Sequence, residues 1–399
     1  MVVSSFAIGV LAQPLFFLGF ADAILVTIFF NLLGISTVCF FSTFGPRFGL
    51  RQMVLSRFWF GWWGVKLIAV FNVLACIGWS SVNSIVGAQL IHAVNSDVPD
   101  YAGIIIIAVC TFLVTIFGYK IVHVYEFYSW IPSAIVFLVV VGVFAHSGDF
   151  VNLPWSVGTS ELGGVLSFGA SVYGFATGWT SYAADYTAYQ PHTQSRTKVF
   201  LWTFLGLIVP LLFCEILGAA VYTATTINGG TNVYADGYSS AQVGGLLGAV
   251  LFRIGGFGKF CLVVLALSII ANNCPNIYSV SLTLQVLGRW TQRVPRFIWT
   301  FVGTIAYIAI AIAGAAHFDT VLENFMNFIG YWLAIYEGIA LTEHFVFKRG
   351  MSGYNAEHYD HPELLPPGFA AIAAFCFGVA GMVTGMSQVM HIFPQYLYT

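Results

Sequence analysis

The chain has 399 residues, 59% of them hydrophobic and 8% charged, with 38 Phe, 11 Trp and a formal net charge of −2. A soluble domain carries about 25% charged residues, so these numbers exclude a conventional water-facing surface. The few basic residues are scattered among loops and form no nucleic-acid footprint. All seven cysteines lie inside apolar blocks and read as small free hydrophobes, not as a disulfide framework.

The apolar blocks are long enough for a bilayer, which takes roughly 20 residues as a helix. They predict helices near 1–13 (incomplete), 17–42, 60–93, 102–119, 124–146, 163–187, 198–224, 255–285, 295–314, 318–346 and 367–390. A shorter run, 241–252, is too brief to span and is expected at the interface or in a loop. No signal peptide precedes the first segment, and the chain starts at Met1 inside an apolar run. The chain is therefore expected to be an all-α polytopic membrane protein of about 11 helices in a single transmembrane domain, 1–399.

Basic residues fix an expected orientation. Arg47, Arg51, Arg57, Lys66, Lys120, Arg196, Lys198, Arg289, Arg293, Arg296, Lys348 and Arg349 all follow even-numbered helices, which is 12 of the 14 basic residues; only Arg253 and Lys259 fall opposite. Positive loops stay inside, so the N-terminus is expected in the cytoplasm. Five helices followed by five more, starting on opposite sides, permit two inverted repeats, 1–146 and 163–346, with 367–390 as an additional helix. Transporters built this way bind near the midplane, between discontinuous helices.

Three segments carry polar groups at depth. The run 163–187, with Gly169, Gly174 and Gly178 among Ser171, Thr177, Thr180 and Ser181, is weakened in its middle; broken backbone is tolerated there only when buried or lining a cavity. Packing through small residues is the plainer alternative, but Trp179 beside Gly178 would project over the gap that the glycine leaves. In 60–93, Trp79 and Asn83 are four apart and share a helical face, next to a packing stripe of Ser80, Ser84 and Gly87. Trp79 lies too far inside the apolar run for an interfacial belt residue. In 255–285, Pro275 removes a backbone donor, and Asn272, Asn273 and Asn276 crowd around it in more number than capping a kink needs. Indole faces and amides without a cation suit a flat, neutral, hydrogen-bonding solute.

These stretches, GWSSVNSIVGAQ, GFATGWTSYAADYTAYQP and ANNCPNIYS, together with GLRQMVLSRFWFG and NFIGYWLAIYEGIALTEHFVFKRG, resemble the fungal purine–cytosine permeases of the nucleobase–cation symporter-1 family along essentially the whole chain. The resemblance implies a leucine-transporter-type 5+5 inverted repeat with discontinuous helices 1 and 6. It further implies proton-coupled uptake of cytosine, adenine, guanine and hypoxanthine at the plasma membrane. It carries substrate binding onto Trp79, Asn83, Trp179, Asn272 and Asn273, and less directly onto Ser5, with Gly178 and Pro275 as the helix-break or gating positions. No cofactor is implied; the proton is the coupling ion, and the partners are a nucleobase and the lipid bilayer, with the oligomeric state open. The family also has a cytoplasmic tail, a complete first helix and a twelfth, so this chain is expected to begin within helix 1 and to lack helix 12. Sodium-dependent members carry a hydroxyl pair where Ala266 and Leu267 align, with Ser268 next, which favours protons. A permease for allantoin, uracil or a hydantoin is the runner-up; a membrane receptor or enzyme, or a non-transporting fragment, is a reading of a different class.

A proton carrier needs an ionisable group at membrane depth. Glu126, Asp185, Glu215 and Glu337 are the candidates, and the sequence pairs none of them with a partner. His358, Asp360 and His361 in EHYDHPE are spaced too loosely for a metal site and are expected to be solvated.

Overall fold

In lipid every backbone donor and acceptor must be satisfied within the protein, which restricts a spanning chain to helices or a closed barrel. The computed structural model describes residues 2–116 and 119–392 (side chains excepted at 119–123, 160, 289 and 387–392). The described residues form fourteen α-helices and no strand. In chain order these are α1 (Val3–Val10), α2 (Phe20–Ser42), α3 (Phe44–Phe48), α4 (Gln52–Val94), α5 (Asp100–Ile116), α6 (Tyr119–Ser147) and α7 (Thr159–Thr177). Then come α8 (Arg196–Thr223), α9 (Val233–Leu251), α10 (Gly256–Thr283), α11 (Arg289–Arg293), α12 (Arg296–Gly314), α13 (Phe318–Thr342) and α14 (Phe369–Ile392).

Among the described residues seven helical runs are long and apolar enough to cross a membrane, and one of them, Arg296–Phe347, holds α12 and α13 end to end. The outward side chains include Trp202, Phe260 and Phe377, all strongly exposed, as lipid-facing residues should be. Buried α4 is the central post: α10, α5, α9, α12 and α13 all pack on it. Around it α1 packs on α8, α2 on both α7 and α8, and α13 on α7.

Four segments differ from the sequence expectation. The helix expected at 60–93 begins at Gln52, and α4 is two helices joined at Gly61, whose φ of 72° and ψ of 179° leave the helical region. That φ favours glycine, and a Cβ there would lie 2.3 Å from the Pro366 carbonyl oxygen. The loop uses the break: Pro366 and Pro367 carbonyls accept from Trp62 and Trp63 N–H at 3.0 and 3.2 Å, capping donors the new helix start leaves free. The run 241–252 is neither loop nor surface segment but the buried second half of α9, bent at Ala241 and Gln242 and packed on α4. Its burial between other helices removes the need to span. The expected helix 163–187 stops at Thr177 and resumes as a 3₁₀ stretch, Thr180–Tyr186. The run 255–285 passes through Pro275 as one helix, α10, so the proline does not break it.

Of the orientation-setting residues, the side chains of Lys120 and Arg289 lie outside the described residues, as do residues 117 and 118 at the expected end of 102–119. The two ends of the bundle carry different chemistry. At one end Arg57 lies over Trp62 and pairs with Asp360. At the other Arg253 pairs with Asp149.

Candidate functional site

Around the interruption between α7 and the 3₁₀ stretch the chain packs closely on its neighbours. A Cβ on Gly174 would stand 2.1 Å from the Met326 carbonyl oxygen of α13, and one on Gly178 would stand 2.8 Å from Cζ2 of Trp79. The indole that fills the gap left by Gly178 is thus Trp79, reaching across from α4, and not Trp179 as the sequence suggests. Past the break, Tyr182 departs from helical geometry (φ −141°, ψ 16°), and the backbone turns its aromatic side chains inward.

Beside the break lies a cavity of about 240 Å³, just under the range of about 300–1,000 Å³ usual for drug-sized ligands and so scaled to one small ring system. Trp79 from α4 and Phe175, Trp179, Tyr182 and Tyr186 from the α7 region form its aromatic walls. Trp79 sits edge-on to Phe175 and Phe325, at 5.2 and 5.3 Å between ring centres, and Trp179 leans on Tyr182 at 5.6 Å. Polar lining comes from Ser5 of α1, Glu126, Ser129 and Ser133 of α6, and Ser268, Asn272 and Asn276 of α10. Trp79 Nε1 is buried with no hydrogen-bond partner, a donor left for something that enters.

Of the residues expected at the site, Ser5, Trp79, Trp179, Asn272 and Pro275 line this one cavity, and Gly178 seats Trp79. Asn83 and Asn273 do not line it. Asn83, one turn beyond Trp79, accepts from the Ser4 hydroxyl of α1. Asn273 donates to Ser84 Oγ at 3.1 Å and to the Ser80 carbonyl at 3.4 Å. Both amides tie neighbouring helices to α4, each with one side-chain atom still unpaired, Asn83 Nδ2 and Asn273 Oδ1. The polar residues read as a packing stripe, Ser80 and Ser84, are the ones Asn273 grips.

Asn276, which the sequence shows beside Pro275 but outside the expected substrate-binding set, joins the cavity, as do Ser129, Trp130 and Ser133 of α6 beside the candidate acid Glu126. Asn276 lies four residues after Asn272, on the same face, and donates to its carbonyl at 3.2 Å. Glu126, Ser129, Trp130 and Ser133 follow i, i+3, i+4, i+7 spacing, so one stripe of α6 turns to the cavity. That spacing was a readable signal.

The four acids separate by surroundings. Glu215 of α8 is fully buried and accepts from Asn31 Nδ2 of α2 at 2.6 Å. Glu337 of α13 accepts from Thr37 at 3.0 Å, from the Tyr173 phenol at 2.7 Å and from Thr177, with Thr180 bonded to both threonines. Asp185 accepts from the Gln52 backbone N–H at 2.8 Å. Glu126 reaches the cavity itself. In the distant loop, Asp360 pairs with Arg57, His361 with Glu363 and His358 with Asn355; among the described residues no three His, Cys, Asp or Glu side chains are placed to hold a metal.

Residues 1–398 match the family described as permeases for cytosine/purines, uracil, thiamine and allantoin. The chain is 67% identical over 394 residues to the purine-cytosine permease fcyB of Emericella nidulans, covering 99% of this chain and 77% of that one. It is 44% identical over 394 residues to the purine-cytosine permease FCY2 of Saccharomyces cerevisiae, covering 97% and 73%. Among solved structures it shares its fold with Mhp1, a nucleobase-cation-symport-1 family transporter in a closed conformation with bromovinylhydantoin bound. The TM-score is 0.64 at 17% identity, over 96% of this chain and 89% of that chain.

Proposed function

The chain belongs to the family of permeases for cytosine/purines, uracil, thiamine and allantoin, and from that premise we propose that it carries cytosine, adenine, guanine and hypoxanthine across the plasma membrane in symport with protons. It is a permease and not an enzyme. The observation that carries the substrate reading is the cavity at the helix break, walled by three indoles, Trp79, Trp130 and Trp179, and edged by amides and hydroxyls with no cation among its lining residues. A planar neutral base stacks on indole faces, and its donor and acceptor edge needs groups that offer both, as Asn and Ser do.

In this reading Trp79 and Trp179 hold the two faces of the base, and Asn272, Asn276 and Ser5 meet its edge. Asn83 and Asn273 act at one remove, holding α1 and α10 against α4 so that Ser5 and Asn272 keep their places. Gly178 and the 3₁₀ stretch supply the flexible half of the site, and Pro275 shapes α10 behind Asn272. Protons are favoured as the coupling ion because Ala266 and Leu267 bring no hydroxyls, while Glu126 stands in the cavity wall.

We also read 1–146 and 163–346 as inverted repeats. Support comes from pairings that exchange when the spans are renumbered by five: α1 on α8 answers α2 on α7, α4 on α5 answers α10 on α12, and α6 on α10 answers α13 on α4. The excess of basic residues supports a cytoplasmic location for the Arg51 end.

The test is uptake of radiolabelled cytosine by yeast lacking its own base permeases, with adenine, guanine, hypoxanthine, uracil and allantoin as competitors. Uptake is expected to be competed by the purines, to be abolished by a protonophore and to be unaffected when choline replaces sodium at constant pH. Each proton brings about 2.3 kcal/mol per 100 mV of membrane potential, enough to drive accumulation. Loss of uptake in choline would overturn the proton assignment, and competition by allantoin or uracil alone would overturn the substrate assignment.

A further inference from the structure

Glu126 is the acid that the interior leaves in reach of a solute. It lines the cavity at the helix break and also a narrow pocket of about 20 Å³ beside it, so it stands between the substrate space and the Arg51 end of the bundle. Its Oε1 is buried without a hydrogen-bond partner. The other three acids each accept a hydrogen bond, Glu215 from Asn31 through one oxygen while its second, Oε1, has no partner, Glu337 from its hydroxyls and Asp185 from the Gln52 amide, and none of the three lines the cavity at the helix break. The titratable groups that face Glu126 are Tyr182, Asp185 and Tyr186 from the 3₁₀ stretch, Tyr278 and Cys274 from α10, and Tyr189 beyond the stretch. The nearby cation, Arg51, is directed at the hydroxyls of Tyr189 and Tyr278, at 2.6 and 3.5 Å.

We propose that the protonated carboxyl of Glu126 contacts the edge of the base directly, so that proton and substrate share one site; this rests on the proton-symport reading above. A protonated carboxyl offers one donor beside one acceptor, whereas an ionised one only accepts. The proposed substrates share a matching edge. Cytosine and adenine present a ring-nitrogen acceptor next to an amino donor, and hypoxanthine and guanine present a ring N–H next to a carbonyl. Either polarity fits a carboxylic acid, because its proton can sit on either oxygen. The ionised carboxylate would set a lone pair against the acceptor of that edge in cytosine, adenine and hypoxanthine, whereas guanine can also offer it N1–H beside its amino group. Protonation therefore raises affinity for cytosine, adenine and hypoxanthine, and by reciprocity each of these bound bases raises affinity for the proton. Loss of that proton to water at the exit side then releases the base.

The decisive comparison is Glu126→Gln with Glu126→Ala, in full-length protein purified in detergent, with cytosine and hypoxanthine as probes between pH 5 and 8. Fluorescence of the cavity indoles reports binding, and thermal unfolding confirms that both variants are folded. Wild-type affinity is expected to fall about tenfold per pH unit above the carboxyl's own pKa. A glutamine amide carries a donor and an acceptor at every pH, so Glu126→Gln should bind both bases without pH dependence, within about threefold of the low-pH wild type, and lose protonophore-sensitive accumulation in cells. Glu126→Ala should weaken both bases about tenfold at low pH. If Glu126→Gln keeps the wild-type pH dependence, or Glu126→Ala binds as wild type, while wild-type uptake still collapses with a protonophore, the shared site is overturned and the symport reading stands. Wild-type binding and uptake that ignore pH altogether would overturn both.

Discussion

From Tyr173 to Tyr182 the chain turns two unlike faces to its surroundings. Toward α13, Tyr173, Thr177 and Thr180 close around Glu337, and each hydroxyl has a partner. Toward the cavity, Phe175, Trp179 and Tyr182 stand beside Trp79 Nε1, which has none. A buried polar group left unpaired costs about 1–3 kcal/mol. The paired face can therefore hold α7 and α13 together, whereas the unpaired face carries a cost that an arriving ligand can relieve. Stability and recognition are built back to back on one interrupted helix, and substitutions should separate them.

The largest effect is expected on the paired face. Glu337→Ala removes the acceptor of three hydroxyls at once and leaves buried donors at about 1–3 kcal/mol each, so folded protein at the cell surface should be nearly lost. Gly174→Ala should act the same way, because its new Cβ meets the rigid Met326 carbonyl at 2.1 Å. Detergent-purified protein from either variant that unfolds at the wild-type temperature would show that this face does not hold the helices together.

Next comes the unpaired face. Stacking on an aromatic contributes about 1–3 kcal/mol per base, so Trp179→Ala should weaken cytosine binding about tenfold or more while leaving thermal stability near wild type, with Trp179→Phe intermediate. Trp79→Ala should lose at least as much affinity and some stability as well, since this 5%-exposed indole also packs on Phe175 and Phe325. Equal binding by surface-localised alanine variants would move the base out of this cavity.

How far the sequence reveals this arrangement depends on what kind of signal each residue gives. Apolar run length located the spans, because the bilayer sets it directly. The bend at Gly61 was invisible, since it depends on Pro366 and Pro367 arriving from some 300 residues away. In the cavity, Trp79 and Trp179 were legible as large aromatics at depth. Asn83 shares a helical face with Trp79, but whether an amide one turn further on reaches a cavity or a neighbouring helix is decided by that neighbour, here Ser4. Asn273 was misplaced for the same reason: adjacent amides point about 100° apart on a helix, and only Asn272 and Asn276 share the cavity side.

A smaller effect should follow from Gly178→Ala. Its Cβ would press on Trp79 Cζ2 at 2.8 Å, and the backbone there is ordinary helix (φ −50°), so the strain falls on the indole and not on the chain. Affinity for cytosine should drop several-fold with little change in unfolding temperature, the reverse of Gly174→Ala only four residues away. If both glycine variants lose stability alike, the two faces are not separable.

The smallest effect belongs far from either face, where Asp149 meets Arg253 and the Tyr234 phenol at the opposite end of the bundle. Burial pushes the Asp149 carboxyl up, but the Tyr234 and Ser147 hydrogen bonds and the Arg253 charge outweigh it, and the net position is below the ordinary carboxylate value. A carboxyl depressed in the folded state stabilises above its unfolded pKa of about 3.9, and that contribution is lost as pH falls through the lower folded value. At neutral pH the contribution is fully present, yet a partly exposed ion pair contributes only about 0–1 kcal/mol. Arg253→Gln should therefore lower the unfolding temperature of the purified protein by a few degrees at most at pH 7, the difference should start to shrink below about pH 4 and vanish once pH is below the lower folded value, and cytosine affinity should not change. A loss of binding comparable to Trp179→Ala would mean that this end of the bundle communicates with the cavity, and the division between holding and recognising would no longer be confined to the broken helix.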